Sequence, residues 1–247
     1  MEELYREDLA YIHDAGFGAV AIGAARLLIA ELDRAGLRRG PVVDLGCGSG
    51  LLARHAVDAG FAVLGVDISA AFIAIARGRV PEAEFRVGSF LSIELPACVA
   101  VVAIGEVLSY AFDERNSSRE RSELFGRCFA ALAPGGLLMF DLAVGDPARA
   151  SGVLKAFKQG PDWAVMAAPE TDETGRLLTR RITSFRQVGA LYRRDDETHR
   201  LFLDDPAQVL QSLRSAGFES QVLPAYAPEP LPGGVVAFLA RKPRTPR

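Results

Sequence analysis

The chain has 247 residues, enough for one large domain or for a core with a modest insertion. A hydrophobic share of 49% and a charged share of 24% describe a globular protein that buries a sizeable core. The net charge of −3, without a long run of either sign, argues against nucleic acid or an anionic membrane as the main partner. Residues 2–14 and 19–36 read as two helices parted by Gly16-Phe17-Gly18, the second stopping at Gly36. From Pro41 the pattern becomes short apolar runs alternating with amphipathic helices. Residues 42–45 form a strand and 51–59 a helix closed by Gly60. Residues 61–66 form a second strand, after which Ser69 caps a helix running to about Arg79. Residues 84–87 and 99–104 are strands, the latter apolar throughout as suits burial on both faces.

A further helix starts near Ser117, where Ser117-x-x-Glu120 has capping-box spacing, and stops at Pro134, before a fifth strand over 137–142. Strands alternating with helices predict a parallel sheet with right-handed crossovers. The rhythm breaks after Pro147. Residues 163–168, 177–188 and 191–203 read as strands of an antiparallel insertion. Asp205-Pro206 reopens the α/β pattern with a helix ending at Gly217, and residues 218–226 and 235–241 form a terminal hairpin. The expected division is an N-terminal helical cap at 1–40, an α/β core at 41–150, a β-rich lid at 151–204 and completion of the core at 205–247. Met1-Glu2-Glu3 does not lead into a basic and then apolar segment, so no signal peptide is expected, and the apolar runs fall short of a membrane span. Cys47, Cys98 and Cys128 are scattered without a C-x-x-C pair, which reads as reduced thiols in a cytoplasmic protein. His13, His55 and His199 lie far apart, without metal-ligand spacing, so no metal site is expected.

The most informative segment is Val42-Val43-Asp44-Leu45-Gly46-Cys47-Gly48-Ser49-Gly50, a strand entering a glycine-rich turn that leaves as a helix. Such a turn lets a ligand approach the backbone without meeting a Cβ atom. Gly48-x-Gly50-x-x-Ala53, with Asp67 about 20 residues on, also satisfies the dinucleotide fingerprint and keeps a nicotinamide-dependent oxidoreductase as the alternative. Two features oppose it. Asp44 at the strand end repels a pyrophosphate and favours a cationic ligand, and no Lys or Arg lies between Pro41 and Ala53.

Asp44-Leu45-Gly46-Cys47-Gly48-Ser49-Gly50 resembles the first motif of class I S-adenosylmethionine-dependent methyltransferases. Gly65-Val66-Asp67-Ile68-Ser69 resembles the second, which places Asp67 on the ribose hydroxyls, with Ile68 as apolar contact to the base or plain core. Gly88-Ser89-Phe90 resembles the adenine-contacting segment, where many relatives carry Asp at the position of Ser89. Leu132-Ala133-Pro134-Gly135-Gly136-Leu137-Leu138 resembles the turn before the fifth strand, an architectural motif. The resemblance covers residues 41–142 well and the last forty-odd loosely. It implies a doubly wound, mostly parallel Rossmann-like sheet, with S-adenosyl-L-methionine as cofactor and a small-molecule methyl acceptor. It also implies a cofactor site of Asp44, Gly46, Cys47, Gly48, Gly50, Asp67, Ile68, Gly88, Ser89, Phe90 and Gly105.

Glu106, in Ile104-Gly105-Glu106-Val107-Leu108-Ser109-Tyr110, follows the fourth strand and is the leading acidic candidate, either near the cofactor ammonium or as a base; the plain alternative is a loop acid or cap partner. His13, with Tyr11 and Phe17, belongs to N-terminal helices that cover the cofactor in related enzymes, or is structural. On the last inserted strand, alternation puts Glu197 and His199 on one face and Thr198 and Arg200 on the other; the first faces either a substrate cleft or solvent. A non-catalytic cofactor-binding module of the same fold is the second alternative. The intact motif glycines favour an enzyme.

Overall fold

Between Pro41 and Ala143 five strands pair edge to edge in one sheet, and along the central ones consecutive residues are buried in opposite layers. The computed structural model describes residues 4–113, 115–145, 156–223, 225–226 and 229–244. Strands β1 (Pro41–Leu45), β2 (Ala62–Asp67), β3 (Glu84–Val87), β4 (Cys98–Ala103) and β5 (Leu132–Ala143) alternate with α3 (Leu51–Asp58), α4 (Ala70–Arg79) and α5 (Ser118–Ala131). Two helices, α1 (Glu7–Gly16) and α2 (Ala19–Arg34), precede them. The seven-stranded sheet is completed by β10 (Glu219–Leu223) and β13 (Val235–Arg241), in the order β10-β13-β5-β4-β1-β2-β3. β1, β2, β3, β4 and β5 run parallel, and β13 runs antiparallel to both β5 and β10.

The alternation is explicit in the packing. Val42, Val63, Val102 and Met139 join Leu28, Leu52 and Ile73 of α2, α3 and α4 in one apolar layer. Val43, Leu64, Val101 and Phe140 join Leu124 and Phe125 of α5 and Leu213 of α6 (Pro206–Ser215) in the other. Both faces of the central strands are covered, which explains their unbroken apolar sequences. The caps expected from sequence are in place. Phe72 N–H donates to Ser69 Oγ at 3.2 Å, Glu120 N–H to Ser117 Oγ at 3.2 Å and Ala207 N–H to Asp205 Oδ1 at 2.9 Å.

The inserted sheet has four antiparallel strands, β6 (Ala156–Gln159), β7 (Trp163–Thr171), β8 (Leu177–Val188) and β9 (Leu191–Phe202), in that spatial order. Trp163 and Val165 of β7 pack on Leu9 and Ile12 of α1. Leu178 and Leu201 pack with Tyr110 and Ala143, and bridges join Tyr110 to Leu201 and Val144 to Asp204. The sheet is thereby fixed to the carboxyl ends of β4 and β5. β11 (Ala225–Tyr226) and β12 (Glu229–Pro230) make a small separate pair inside the terminal hairpin.

Several elements differ from the sequence reading, β5 and β7 by running longer, to Leu132–Ala143 and Trp163–Thr171. The first helix spans Glu7–Gly16 rather than 2–14, of which residues 2 and 3 lie outside the described residues. α5 ends at Ala131 instead of running to Pro134, because Leu132 already pairs with Cys98 in the sheet. β6 was not expected, since all four of its residues are exposed and it carries no alternating pattern.

Gly65 shows how tightly β2 meets β3: a Cβ there would sit 2.5 Å from the Phe85 ring and 2.9 Å from Cys47 Sγ. Gly65→Ala therefore costs about 1–3 kcal/mol, the usual penalty of overpacking a filled core. Urea denaturation should show this as a lower midpoint, and a midpoint equal to the parent's would mean that the layer yields freely.

Candidate active site

Strand order reverses between β1 and β4, so their outgoing loops diverge and open a crevice at the carboxyl edge. The first loop is shaped by two glycines. Gly46 has φ +68 and would drive a Cβ into the Val107 side chain, while Gly48, at φ +51, has no atom within 4 Å of where its Cβ would lie. The N–H groups of Gly46 and Cys47 donate to Val66 O at 2.7 and 3.0 Å, tying this loop to β2. Above it opens a cleft of about 940 Å³, counting the open space at its mouth.

Three carboxylates are buried along this edge. Asp67, 8% exposed, accepts hydrogen bonds from Gly48 N–H at 2.9 Å and Ser69 N–H at 2.8 Å. Burial still lifts its pKa to about 6 against those bonds. Asp141 of β5, fully buried, accepts from Gly105 N–H at 3.0 Å, from Glu106 N–H and from the Tyr226 hydroxyl at 3.1 Å, and burial also lifts it to about 6. Asp44 of β1 is 2% exposed and its Oδ2 has no hydrogen-bond partner. Burial, reinforced by the charge of Asp67, raises its carboxyl to about 8.

The cover is built from α1 and the inserted sheet. Tyr5 lines the cleft at φ +49, and every polar group of its backbone and ring is engaged. Its N–H donates to Glu197 Oε2 at 2.7 Å, its carbonyl accepts from Ser69 Oγ at 2.8 Å, and its hydroxyl meets that of Tyr110 at 2.6 Å. Glu197 also receives the Arg6 N–H at 3.0 Å and lies 2.9 Å from His199 Nε2. Burial works to raise the Glu197 carboxyl, but the bonds from His199 and from the Arg6 and Tyr5 amides outweigh it and hold the pKa low. His13 faces the cleft, stacks on Phe17 and meets Tyr5 and Phe72 edge-on. Burial depresses its pKa to about 4, leaving a neutral imidazole at pH 7.

The structure brings His13, Gly46, Cys47, Gly48, Asp67, Ile68, Gly88, Ser89, Phe90 and Gly105 together around one cleft. Four sequence candidates stand behind its wall. Asp44 lies beneath the glycine turn. Gly50 begins α3, and a Cβ there would face Ala76 and Phe85 of the core. Glu106 adopts φ +61 and binds Arg180 through both carboxylate oxygens, at 2.9 and 2.7 Å. His199 shares the buried face of β9 with Glu197, under Tyr5, while Thr198 is half-buried and Arg200 exposed on the other. The sequence reading missed Asp141, Tyr5, Arg180 and Asp113. For Asp141 a signal existed, an aspartate inside the apolar run of β5; for the others none did. Among the described residues, no three His, Cys, Asp or Glu side chains converge as metal ligands. No single described helix is long and apolar enough to cross a membrane.

Comparison with known proteins gives the same class. A crystallised S-adenosylmethionine-dependent methyltransferase from Clostridium acetobutylicum superimposes with a TM-score of 0.78 at 15% identity, covering 95% of this chain and 97% of that one. An S-adenosylmethionine-bound amino pentose methyltransferase from Micromonospora echinaspora gives 0.72 at 19% identity, covering 98% and 99%. The fold is thus that of Rossmann-like methyltransferases. Residues 42–136 match the methyltransferase domain family. A trans-aconitate 2-methyltransferase of Delftia acidovorans is 39% identical over 108 residues, 41% of this chain and 37% of that protein. A ubiquinone biosynthesis O-methyltransferase of a Bradyrhizobium species is 29% identical over 199 residues, 74% of this chain and 72% of the relative. In five curated relatives the matched stretch spans only 36% to 46% of their length.

The site fits the cofactor of that family. S-adenosylmethionine carries a sulfonium and an ammonium and no phosphate, and the cleft lining includes no lysine or arginine among the described residues. The orphaned Asp44 oxygen and the glycine cradle supply what a cationic ligand needs.

Asp44 also predicts a pH dependence. Its folded pKa lies above the unfolded value near 3.9, so its contribution to stability is complete below about pH 4 and is lost as pH rises toward 8. Asp44→Asn removes that loss. Urea unfolding of the ligand-free protein should show the variant's advantage growing between pH 5 and pH 8, by at most about 1.4 kcal/mol per unit. Parallel pH profiles for parent and variant would mean that Asp44 titrates normally.

Proposed function

We propose that this protein transfers the methyl group of S-adenosylmethionine to a nitrogen, oxygen or carbon nucleophile of a small molecule in the cytoplasm. The observation that carries this reading is the joining of a cation-free, acid-floored glycine cleft to an aromatic cover of Tyr5, Phe17, Phe72 and Tyr110. Relatives named for trans-aconitate and ubiquinone biosynthesis, and a structural neighbour named for an amino pentose, support a small acceptor. Three free cysteines suit a reducing compartment. The nicotinamide alternative is disfavoured by the same cleft, where a pyrophosphate would lie near the buried Asp67 and meet no cation among the described lining residues.

When bound, the cofactor supplies a methyl group already activated by its sulfonium, so the protein chiefly aligns the reactants and excludes water. Asp67 holds the ribose hydroxyls through the lone pairs its two amide bonds leave free. Residues 1–40 and 151–204 act as the cover, with Tyr5 as the contact between them over the cleft. The neutral His13 accepts, on a ring nitrogen, the proton of an acceptor that must lose one. Glu106 and His199 act at one remove. The first anchors Arg180 beside Tyr110 and Tyr5, and the second buttresses Glu197.

Calorimetry should detect S-adenosylmethionine and S-adenosylhomocysteine but little or no NADH; the reverse preference would end the methyltransferase reading. Asp67→Ala should weaken S-adenosylhomocysteine binding at least about tenfold, the loss of charged hydrogen bonds, with an unchanged circular dichroism spectrum. Unaltered affinity would leave Asp67 only a structural role in holding Gly48 and Ser69. An acceptor can be sought by screening metabolite pools for S-adenosylhomocysteine release. With one in hand, His13→Ala should slow turnover by roughly a hundredfold while affinity for S-adenosylhomocysteine changes little. Normal turnover would remove His13 from the chemistry.

A further inference from the structure

Helix α1 is tied to two loops through one serine in each. Just before its start, Tyr5 O accepts the Ser69 hydroxyl at 2.8 Å; near its end, Asp14 Oδ1 accepts the Ser49 hydroxyl at 2.6 Å. Ser69 opens α4 after β2, whereas Ser49 belongs to the glycine turn after β1 and lines the cleft. Asp67 joins the same two loops through Gly48 N–H and Ser69 N–H. The tie at Asp14 has a third member. Arg79, the last residue of α4, donates from Nη2 to Asp14 Oδ2 at 2.9 Å and from Nη1 to Ser49 O at 2.5 Å, with Nη1 also 2.8 Å from Asp14 Oδ1. Burial works to raise the Asp14 carboxyl, but the bonds from Arg79 and Ser49 outweigh it and hold its pKa low. Within the turn, the N–H groups of Gly46, Cys47 and Gly48 are held by β2, and that of Gly50 by Cys47 O. Ser49 is held from elsewhere, at its hydroxyl by α1 and at its carbonyl by the end of α4.

We infer that Asp14 is a positioning residue: with Arg79 it sets Ser49 in the glycine turn, and through Ser49 it makes ligand binding and the docking of α1 depend on each other. The glycines of the turn offer a ligand only backbone, so affinity depends on where that backbone is held beforehand. With α1 docked, Ser49 is already fixed when the ligand arrives. By linkage, a ligand that needs Ser49 in this place favours the docked helix to the same degree. The tie also reaches the other side of the cleft. His13, next to Asp14 in the chain, lines it, so the contact that sets the turn also sets the imidazole above it. An arginine suits position 79 because its planar fork serves a carboxylate and a carbonyl together, which a lysine ammonium does less rigidly.

This inference rests on the cofactor reading above, and S-adenosylhomocysteine binding separates the two. Calorimetry should compare the parent, Asp14→Ala, Ser49→Ala and the double variant, with urea midpoints measured alongside. Each single change should weaken S-adenosylhomocysteine roughly fivefold or more, as coupling between sites commonly does. The double variant should bind no more weakly than Asp14→Ala, which already breaks the contact to Ser49. Hydrogen exchange distinguishes positioning from plain support. In the parent, S-adenosylhomocysteine should slow exchange across residues 7–16, and in Ser49→Ala most of that slowing should vanish; a merely structural loss would speed exchange equally with and without ligand. Trp163, the only tryptophan in the sequence, reports the same docking by fluorescence, because its ring packs so closely on α1 that a Cβ at Gly16 would lie 2.6 Å from it. If the parent does not bind S-adenosylhomocysteine, the cofactor reading fails and this inference with it. If the parent binds, three results overturn the role of Asp14 alone: unchanged affinity in both variants, losses that add in the double variant, or full slowing of α1 in Ser49→Ala. Should Asp14→Ala not fold, Ser49→Ala, which removes one hydroxyl, carries the test through its affinity and its exchange.

Discussion

Three carboxylates buried at the ends of β1, β2 and β5 are the constraint around which the rest of the site is arranged. Removing a carboxylate from water is expensive unless hydrogen bonds replace its hydration. Asp67 and Asp141 solve this with backbone amides, and each solution fixes a loop. Asp67 holds Gly48 of the glycine turn and Ser69 at the start of α4, while Asp141 holds Gly105 and Glu106 after β4. The loops that form the cleft are therefore positioned by the charges that define its floor. Asp44 is the exception, with an oxygen that nothing in the protein satisfies. A buried acid without a partner raises its pKa and becomes neutral, and a cation arriving nearby reverses that preference. The binding of a cation beside Asp44 and the ionisation of Asp44 would thus be two sides of one equilibrium.

Much of this was legible in the sequence because it depends on local chemistry. The paired burial of Val42 and Val43, or of Met139 and Phe140, follows from unbroken apolar runs between helices. Ser69, Ser117 and Asp205 announce helix starts, and the Gly46, Gly48 and Gly50 turn announces a backbone that a ligand can approach. What sequence could not supply were contacts between remote residues. Glu106 reads as a free acid in a site loop, yet Arg180, 74 residues later, binds both its oxygens. Tyr5 carries no motif, and its place over the cleft is decided by Glu197, 192 residues away. Alternation put Glu197 and His199 on one face of β9 but could not say whether that face met solvent or the core. The fully exposed β6 shows the converse: a strand with no buried face leaves no periodic trace.

The cover follows a different physical logic from the floor. Its apolar contacts are few, with Leu9, Ile12, Trp163 and Val165 forming one small cluster and Tyr110, Ala143, Leu178 and Leu201 another. Charge supplies much of the remainder. Asp8, 4% exposed, pairs with Arg186 at 3.1 Å and with Arg193, and Arg6 binds Asp195 with Nε at 3.0 Å. Salt bridges of this kind, partly open to water, fix orientation more than they add stability. The inserted sheet is thereby held in register on α1 by specific pairs rather than by a large shared core.

Tyr5 is where floor and cover meet. A tyrosine at φ +49 pays roughly 1–3 kcal/mol of backbone strain, and such a conformation persists only where its surroundings dictate it. Here Glu197 takes its amide, Ser69 its carbonyl and Tyr110 its hydroxyl, so one residue is held by β9, by the α4 cap and by the loop after β4. Ser69 is also a residue whose amide Asp67 fixes, which links the strained tyrosine to Asp67 through a single side chain and its own backbone. Water exclusion and electrostatics therefore depend on each other. The attraction between a buried carboxylate and a bound cation is strong only in a low dielectric, and that low dielectric exists only while Tyr5 and its neighbours close the cleft.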